Sequence, residues 1–444
     1  MSTPATILVY AETEPLRLSY ILRTLFGEWY TYSYVITTDK THFENWEGPG
    51  INYSPAKVRK NELHIIPEGL LSESSIRERK PVTAGSHTSA ILFPSTRQDD
   101  MGFDIFSAAF WLLSRMEEYL PFQSDAHGRF EARESIAHAC NFLSVPIIQY
   151  WMQELLSKIK QRNSAFPLHK PACHALTTID VDQAYAFLNR GCFQQFKTVF
   201  NSLMLRKSHL LRSQLKTVFL KRNDPYDTYN YLFHMAEETK EKILFFFLLG
   251  GDSIYDKGVP APEALRALIR RISSKHETGI HPSYNTMQNE ALLQEEISRF
   301  KTFSGFAAEN ARQHYIRLSI PETYRHYANN NIAHDYSMGY STQPGFRAGT
   351  ALPFNWFDLK RNTVTPLQVH PFCYMDVTLF EALKLTADEA RKMIRNLFME
   401  VKNCGGTFIS IWHNNTVSGF GEWASWKEVF EFSLQLSHSI DIEK

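Results

Sequence analysis

Paired cysteines are missing from this sequence. Its five cysteines, Cys140, Cys173, Cys192, Cys373 and Cys404, are odd in number and scattered, and no two form a C-x-x-C pair. That argues against a disulfide framework and a structural zinc ribbon. An excess charge of one sign is missing too, since 47 Lys and Arg balance 47 Asp and Glu. With no net field and no long like-charge run, nothing draws the chain to nucleic acid or to an acidic membrane surface. Long apolar runs are also absent. The longest, ILFFFLLGG at 243–251, falls far short of the roughly 20 residues that a membrane-spanning helix needs. The opening MSTPATILVYAETEPLRLSY has no basic segment followed by a long apolar one, and its ILVY reads as a first strand. The expectation is a soluble, cytoplasmic chain in reducing surroundings, with no membrane span and no nucleic-acid partner. No short-period repeat is visible.

What is present is enough apolar sequence for large cores. At 444 residues the natural count is two domains. The first part reads as a small α/β unit. ILVYAE (7–12), LHIIPEG (63–69) and AILFP (90–94) are strand-like, and EPLRLSYILRTLF (14–26) and SVPIIQYWMQELLSKIK (144–160) are helix-like. FDIFSAAFWLLSRMEEYL (103–120) has helical spacing up to Pro121. The polar, proline-containing QRNSAFPLHKPACH (161–174) fits a linker, which places a boundary near residue 168.

Beyond it, strand and helix alternate. Strands are expected at 175–182, 243–251, 277–283, 315–319, 333–337, 366–376 and 406–414, with helices at 227–240, 262–275, 287–300, 321–331 and 387–403. Apolar strands alternating with helices imply a parallel sheet buried on both faces. About seven such units predict a distorted (β/α) barrel over 169–444, preceded by a smaller α/β domain over 1–168.

The polar residues fall unevenly on this frame. HALTTIDVDQAYAF (174–187) ends an apolar strand on Asp180 and Asp182, which alternation points to one side. Two carboxylates that close are costly without a cation or a shared proton, although a turn or a helix cap is the plainer reading. Asp252 and His281 end the next two strands. Arg312 and His314 flank the fourth, Asp335 lies on the fifth, His370 and Asp376 bracket the sixth, and His413 ends the seventh. Asp252 and Asp376 read equally well as caps. As a set, these residues would converge on the rim at the strands' carboxyl ends. Carboxylate and imidazole ligands together suit Zn²⁺ or another divalent first-row metal, Co²⁺ or Ni²⁺ included. A carboxylate left unligated could act as a base, and a second histidine as an acid.

These residues resemble the polysaccharide deacetylase (NodB-homology) family of carbohydrate esterases over roughly 172–437. TTIDVD (177–182) is similar to its first motif, which implies Asp180 as general base and Asp182 as metal ligand. GIHPSYNT (279–286) is similar to the second, with His281 in place but Asn285 where a second histidine stands. RQHY (312–315) resembles the third, implying that Arg312 orients the catalytic aspartate; His314 replaces a proline. SIWHN (410–414) resembles the last, implying His413 as the acid. Three outcomes stay open for the second motif. His314 supplies the missing imidazole, Asn285 binds through its amide oxygen, or metal binding is lost.

The segment HDYSMGYSTQPGFRAGTALPFNWFD (334–358) resembles a substrate-facing loop of longer family members. That implies a supporting place for Asp335, and a substrate anion or a loop-pinning role for Arg347. Trp356 and Trp412 either stack on a sugar ring or pack in the core. FDIFSAAFWLLSRMEEYLPF (103–122) and DAHGRFEARES (125–135) resemble an N-terminal domain that accompanies some bacterial deacetylases. Within it, Arg115, Glu117 and Glu118 read as a solvated face or a domain-interface salt bridge rather than a functional cluster. The resemblance implies hydrolysis of an N- or O-acetyl group on a sugar or surface-polysaccharide precursor. A metal-independent C–N hydrolase on a non-sugar amide, and a non-catalytic glycan-binding protein on the same fold, are the alternatives.

Overall fold

The run ILVYA, with every residue buried, forms the first strand, β1 (Ile7–Ala11). The computed structural model describes residues 6–78, 80–188, 214–215, 217–218, 220, 223–251, 253–256 and 261–442. Asp252 lies outside them. The chain divides into two units, the first being Met1–Cys173, Gly345–Pro371 and Met399–Thr407, the second His174–Pro344, Phe372–Phe398 and Phe408–Lys444.

In the first unit, β1 pairs in parallel with β2 (Tyr34–Thr37) and β3 (Gly50–Tyr53), and β3 pairs in parallel with β4 (Leu63–Ile65). Helix α1 (Leu16–Leu22) runs on as a π-helix over Arg23–Trp29. Helix α2 (Ile105–Leu113) is buried all round, as its nearly unbroken apolar sequence requires. The Asp104 carboxylate caps it, accepting from the Ser107 amide at 3.0 Å. Helix α3 (Ile147–Arg162) follows, and Phe354–Asp358 and Thr363–Val369 form an antiparallel hairpin.

The expected helix over 103–120 breaks at Arg115, which adopts a left-handed φ of 54° before a 3₁₀ turn over Met116–Tyr119. Of the two readings of Arg115, Glu117 and Glu118, the solvated face is corrected and a salt bridge is found, within the first unit. Arg115 is buried, with Nε 2.8 Å from Glu118 and Nη2 2.7 Å from Glu117. Glu118 also takes Arg347 at 2.6 Å. Burial raises the Glu118 carboxyl, but the charges of Arg347 and Arg115 outweigh it and hold it below its usual range. Arg347 therefore has a carboxylate partner within its own unit, as the loop-pinning alternative expects.

In the second unit the strands are β5 (Cys173–Val181), β6 (Ile243–Leu248), β7 (Glu277–His281), β8 (Asn310–Ala311), β9 (His334–Asp335), β10 (Tyr374–Met375) and β11 (Gly406–His413). Their order across the sheet is β9-β8-β7-β6-β5-β11-β10. The pairs β5–β6, β6–β7, β7–β8, β8–β9 and β10–β11 are parallel. All six residues of β6 are buried, as a strand covered on both faces must be. Helices α4 (Tyr229–Thr239), α5 (Pro262–Ser273), α6 (Glu290–Ser304), α7 (Glu322–Asn329), α8 (Ala387–Cys404) and α9 (Trp426–Ile442) alternate with the strands. Leu244, Phe246, Ile316, Tyr336, Phe372, Met375, Ile409 and Ile411 form one core cluster.

Three expected strands change. The fourth, expected at 315–319, is instead β8 followed by a 3₁₀ turn over His314–Ile316, with Tyr315 at φ 61° and Ile316 at φ 51°. The fifth shortens to His334–Asp335. The sixth splits into Thr363–Val369 and Tyr374–Met375. Among the described residues, no pairing between β9 and β10 closes the sheet into a barrel. Among the described residues, no helix is long and apolar enough to cross a membrane.

Candidate active site

Parallel register lines up the carboxyl ends of the strands. Val181 pairs with Phe247, Leu248 with His281, Ile280 with Ala311, and Ala311 with Asp335. The polar residues that end apolar strands therefore share one rim. Their side chains meet as the sequence predicts for Asp180, Asp182, His281, Arg312, His314 and His413.

Asp180 and Asp182 share His281, whose Nε2 lies 3.7 Å from Asp180 Oδ2, but differ in their other partners. Asp180 is buried and accepts from Arg312 Nη1 at 2.7 Å. Arg312 is fully buried; Nη1 also donates to Thr178 Oγ1 at 2.7 Å and Nε to the Tyr336 carbonyl at 3.0 Å. Its guanidinium carbon lies 4.5 Å from the centre of the Phe246 ring. The arginine is thus held in one orientation beneath the Asp180 carboxylate.

Asp182 faces imidazoles instead. His281 Nε2 lies 3.3 Å from Asp182 Oδ1, and His314 Nε2 lies 3.5 Å from Oδ2. The ligand atoms of Asp182, His281 and His314 all lie within 4.8 Å of one another. Zinc bonds of about 2.0–2.1 Å in tetrahedral geometry put neighbouring donors about 3.3–3.4 Å apart, which these two distances approach. Asp182 Oδ1 is buried and no hydrogen bond satisfies it among the described residues, a cost that a cation in this place would offset. The donor set and its spacing therefore fit a divalent metal. Asn285 is exposed on the turn Tyr284–Gln288.

The charges here are strongly coupled. Burial raises the Asp182 carboxyl, but the charge of His314, contacts from His281 and His314, and the charge of His413 hold it well below the usual range. Burial pushes the His314 imidazole down, while Asp182 and then Asp256 lift it to about 9. His413 Nε2 lies 3.9 Å from Asp182 Oδ2. Its Nδ1 lies 2.8 Å from Asp376 Oδ1, and its backbone amide donates to Asp376 Oδ2 at 2.8 Å. Burial disfavours the charged imidazole, but Asp376 leads the groups that lift it to about 10.

The remaining expected residues sit differently. Asp335 is fully buried, and its Oδ2 accepts from the Tyr324 hydroxyl at 2.7 Å and the Ser337 amide at 3.1 Å. Burial lifts its carboxyl to about 6 against the Ser337 and Tyr324 hydrogen bonds and the Arg312 charge. It supports the rim from within and has no surface for a substrate. Trp412 is fully buried with its ring centre 5.2 Å from that of Phe430, and Trp356 is buried in the first unit; both pack in cores. Sequence reasoning left Asp376 as a cap and missed Asp256 altogether. Asp376 carried the strand-end signal. Asp256 stands in a loop with no periodic pattern to mark it.

A profile of a family of unknown function (DUF7033) matches residues 7–164. No curated protein matches the chain. The chain is similar to two solved structures. One, assigned as a polysaccharide deacetylase from Mycobacterium smegmatis, has 14% identity and a TM-score of 0.37, over 62% of this chain and 92% of that one. The other, the polysaccharide deacetylase Bc1974 from Bacillus cereus, has 10% identity and a TM-score of 0.29, over 60% of this chain and 86% of that one.

Proposed function

We propose that the chain is a hydrolase that removes an N- or O-acetyl group from a sugar or surface-polysaccharide precursor. In this reading, residues 169–444 form the catalytic domain on a distorted barrel and residues 1–168 an accessory one. Asp182, His281 and His314 would hold a divalent metal, with zinc the first choice for a carboxylate and two imidazoles. The observation that carries the reading is the division of labour between two neighbouring carboxylates. Asp182 faces two imidazoles, while Asp180, 3.7 Å from His281 Nε2, is held by a buried arginine that does not reach Asp182. The metal-dependent form is favoured because His314 stands with Asp182 and His281 as a third donor.

A divalent ion supplies Lewis-acid polarisation of a carbonyl and makes water more acidic. Asp180 takes the proton from the attacking water, and Arg312 keeps its carboxylate pointed at the reacting centre. His413, protonated and steadied by Asp376, gives a proton to the departing nitrogen or oxygen as the bond to the acetyl carbon breaks. The sugar enters from the resemblance of the motifs, not from the geometry. Acetate release from a panel of N- and O-acetylated sugars by the zinc-loaded chain tests the reading. Asp180→Asn should abolish turnover while sparing metal content. Turnover that survives this change, or a chain that takes up no zinc, cobalt or nickel, overturns it.

A further inference from the structure

The two imidazoles of the donor group are oriented by different means. His281 Nδ1 meets a main-chain acceptor, the carbonyl of Arg312. His314 Nδ1 meets a side chain, with Asp256 Oδ1 2.8 Å away. Asp256 is nearly buried and comes from the loop after β6, remote in sequence from every member of the group. That loop is itself anchored. Asp256 Oδ1 also accepts from the Tyr284 amide at 3.0 Å, and Oδ2 accepts from Ser253 Oγ at 2.6 Å. The neighbouring Tyr255 stacks on Tyr284 with ring centres 4.0 Å apart.

An imidazole that carries its proton on Nδ1 presents its lone pair on Nε2. In His314 that is the atom facing Asp182. A carboxylate on the far nitrogen fixes the tautomer, stops the ring from turning and strengthens it as a donor.

We propose that Asp256 is a positioning residue that makes His314 a metal ligand, by holding Nδ1–H and aiming Nε2 at the ion shared with Asp182 and His281. On this reading the chain replaces the imidazole absent at Asn285 by two residues, His314 and the aspartate that orients it. The inference rests on the metal reading above.

The test is zinc binding to the metal-stripped full chain, by competition with a chelator, beside the visible spectrum of the cobalt-loaded protein. Asp182→Ala should abolish binding. Asp256→Ala should weaken it by about 10- to 100-fold and change the cobalt bands, since the orientation of a ligand is altered. Asp256→Asn, whose amide oxygen still accepts from Nδ1–H, should lose less. Should Asp256→Ala not fold, Asp256→Asn decides, and affinity and spectrum equal to those of the unmodified chain overturn the proposal. Binding lost in Asp182→Ala but unchanged at Asp256 refutes the positioning role alone. An unmodified chain that binds no zinc or cobalt refutes the metal reading and this inference together.

Discussion

Removing Arg312 tests the core of the site without any substrate. Its Nη1 lies 2.7 Å from Asp180 Oδ1, and both side chains are almost wholly buried. At an effective dielectric of about 20, unit charges at that separation attract by roughly 6 kcal/mol. Desolvation cancels part of this, and breaking a buried pair from one side costs about 3–5 kcal/mol. Arg312→Met keeps a side chain over Phe246 and removes the charge, leaving Asp180 buried and uncompensated. With about 2–4 °C of Tm per kcal/mol for a domain of this size, the melting temperature should fall by roughly 6–20 °C. Asp180→Asn alone leaves the arginine unpaired and should also destabilise. Together the changes remove both charges, so the double variant should recover more than half of the loss. The assay is thermal unfolding of all four proteins with a chelator present, so that no metal masks the result. If the double variant is no more stable than the worse single one, the pair does not act as described. If Arg312→Met melts with the unmodified chain, the buried ion pair is absent in solution.

Three further outcomes follow from the same geometry. Zinc at about 100 times its Kd should stabilise the chain by about 2.7 kcal/mol, seen as a rise in Tm that Asp182→Ala abolishes; an equal rise in the variant places the ion elsewhere. Asp335 has a folded pKa near 6, above an unfolded value of about 3.9. The folded state therefore binds its proton more tightly, so this contribution is full below about pH 4 and lost as pH rises through about 6, on the order of 3 kcal/mol in all. Urea unfolding at both ends of that window should show the loss, and Asp335→Asn should remove it; an unchanged slope refutes the assignment. Arg347→Met should destabilise by about 3–5 kcal/mol, because Glu118 keeps a buried charge with half its partners gone. It should leave KM for the identified substrate unchanged, and a raised KM with normal stability would restore the substrate-binding role.

Local sequence made some of this legible and left the rest hidden. The strand β6 stood out because a parallel strand buried on both faces needs a continuous apolar run. The strand expected at 315–319 failed because YIRLS has strand-forming residues, while the chain there turns through two left-handed residues at the rim. Propensity is a weak prior against tertiary demands. Arg347 and Glu118 stand far apart in sequence, so nothing local told a substrate arginine from one pinning a loop.

By itself the sequence marked Asp180, Asp182, His281 and His413 as strand-end residues, because alternation and strand direction are local properties; Arg312 and His314 reach the same rim only because β8 ends at Ala311. The sequence named Asp180, Asp182, His281, Arg312, His314 and His413. Only the tertiary structure decided which of these touch, because contact depends on register between strands and on loops that carry no period. It paired Asp180 with Arg312 and set Asp182 against His281 and His314. It also brought Asp256 and Asp376 to the outer nitrogens of His314 and His413.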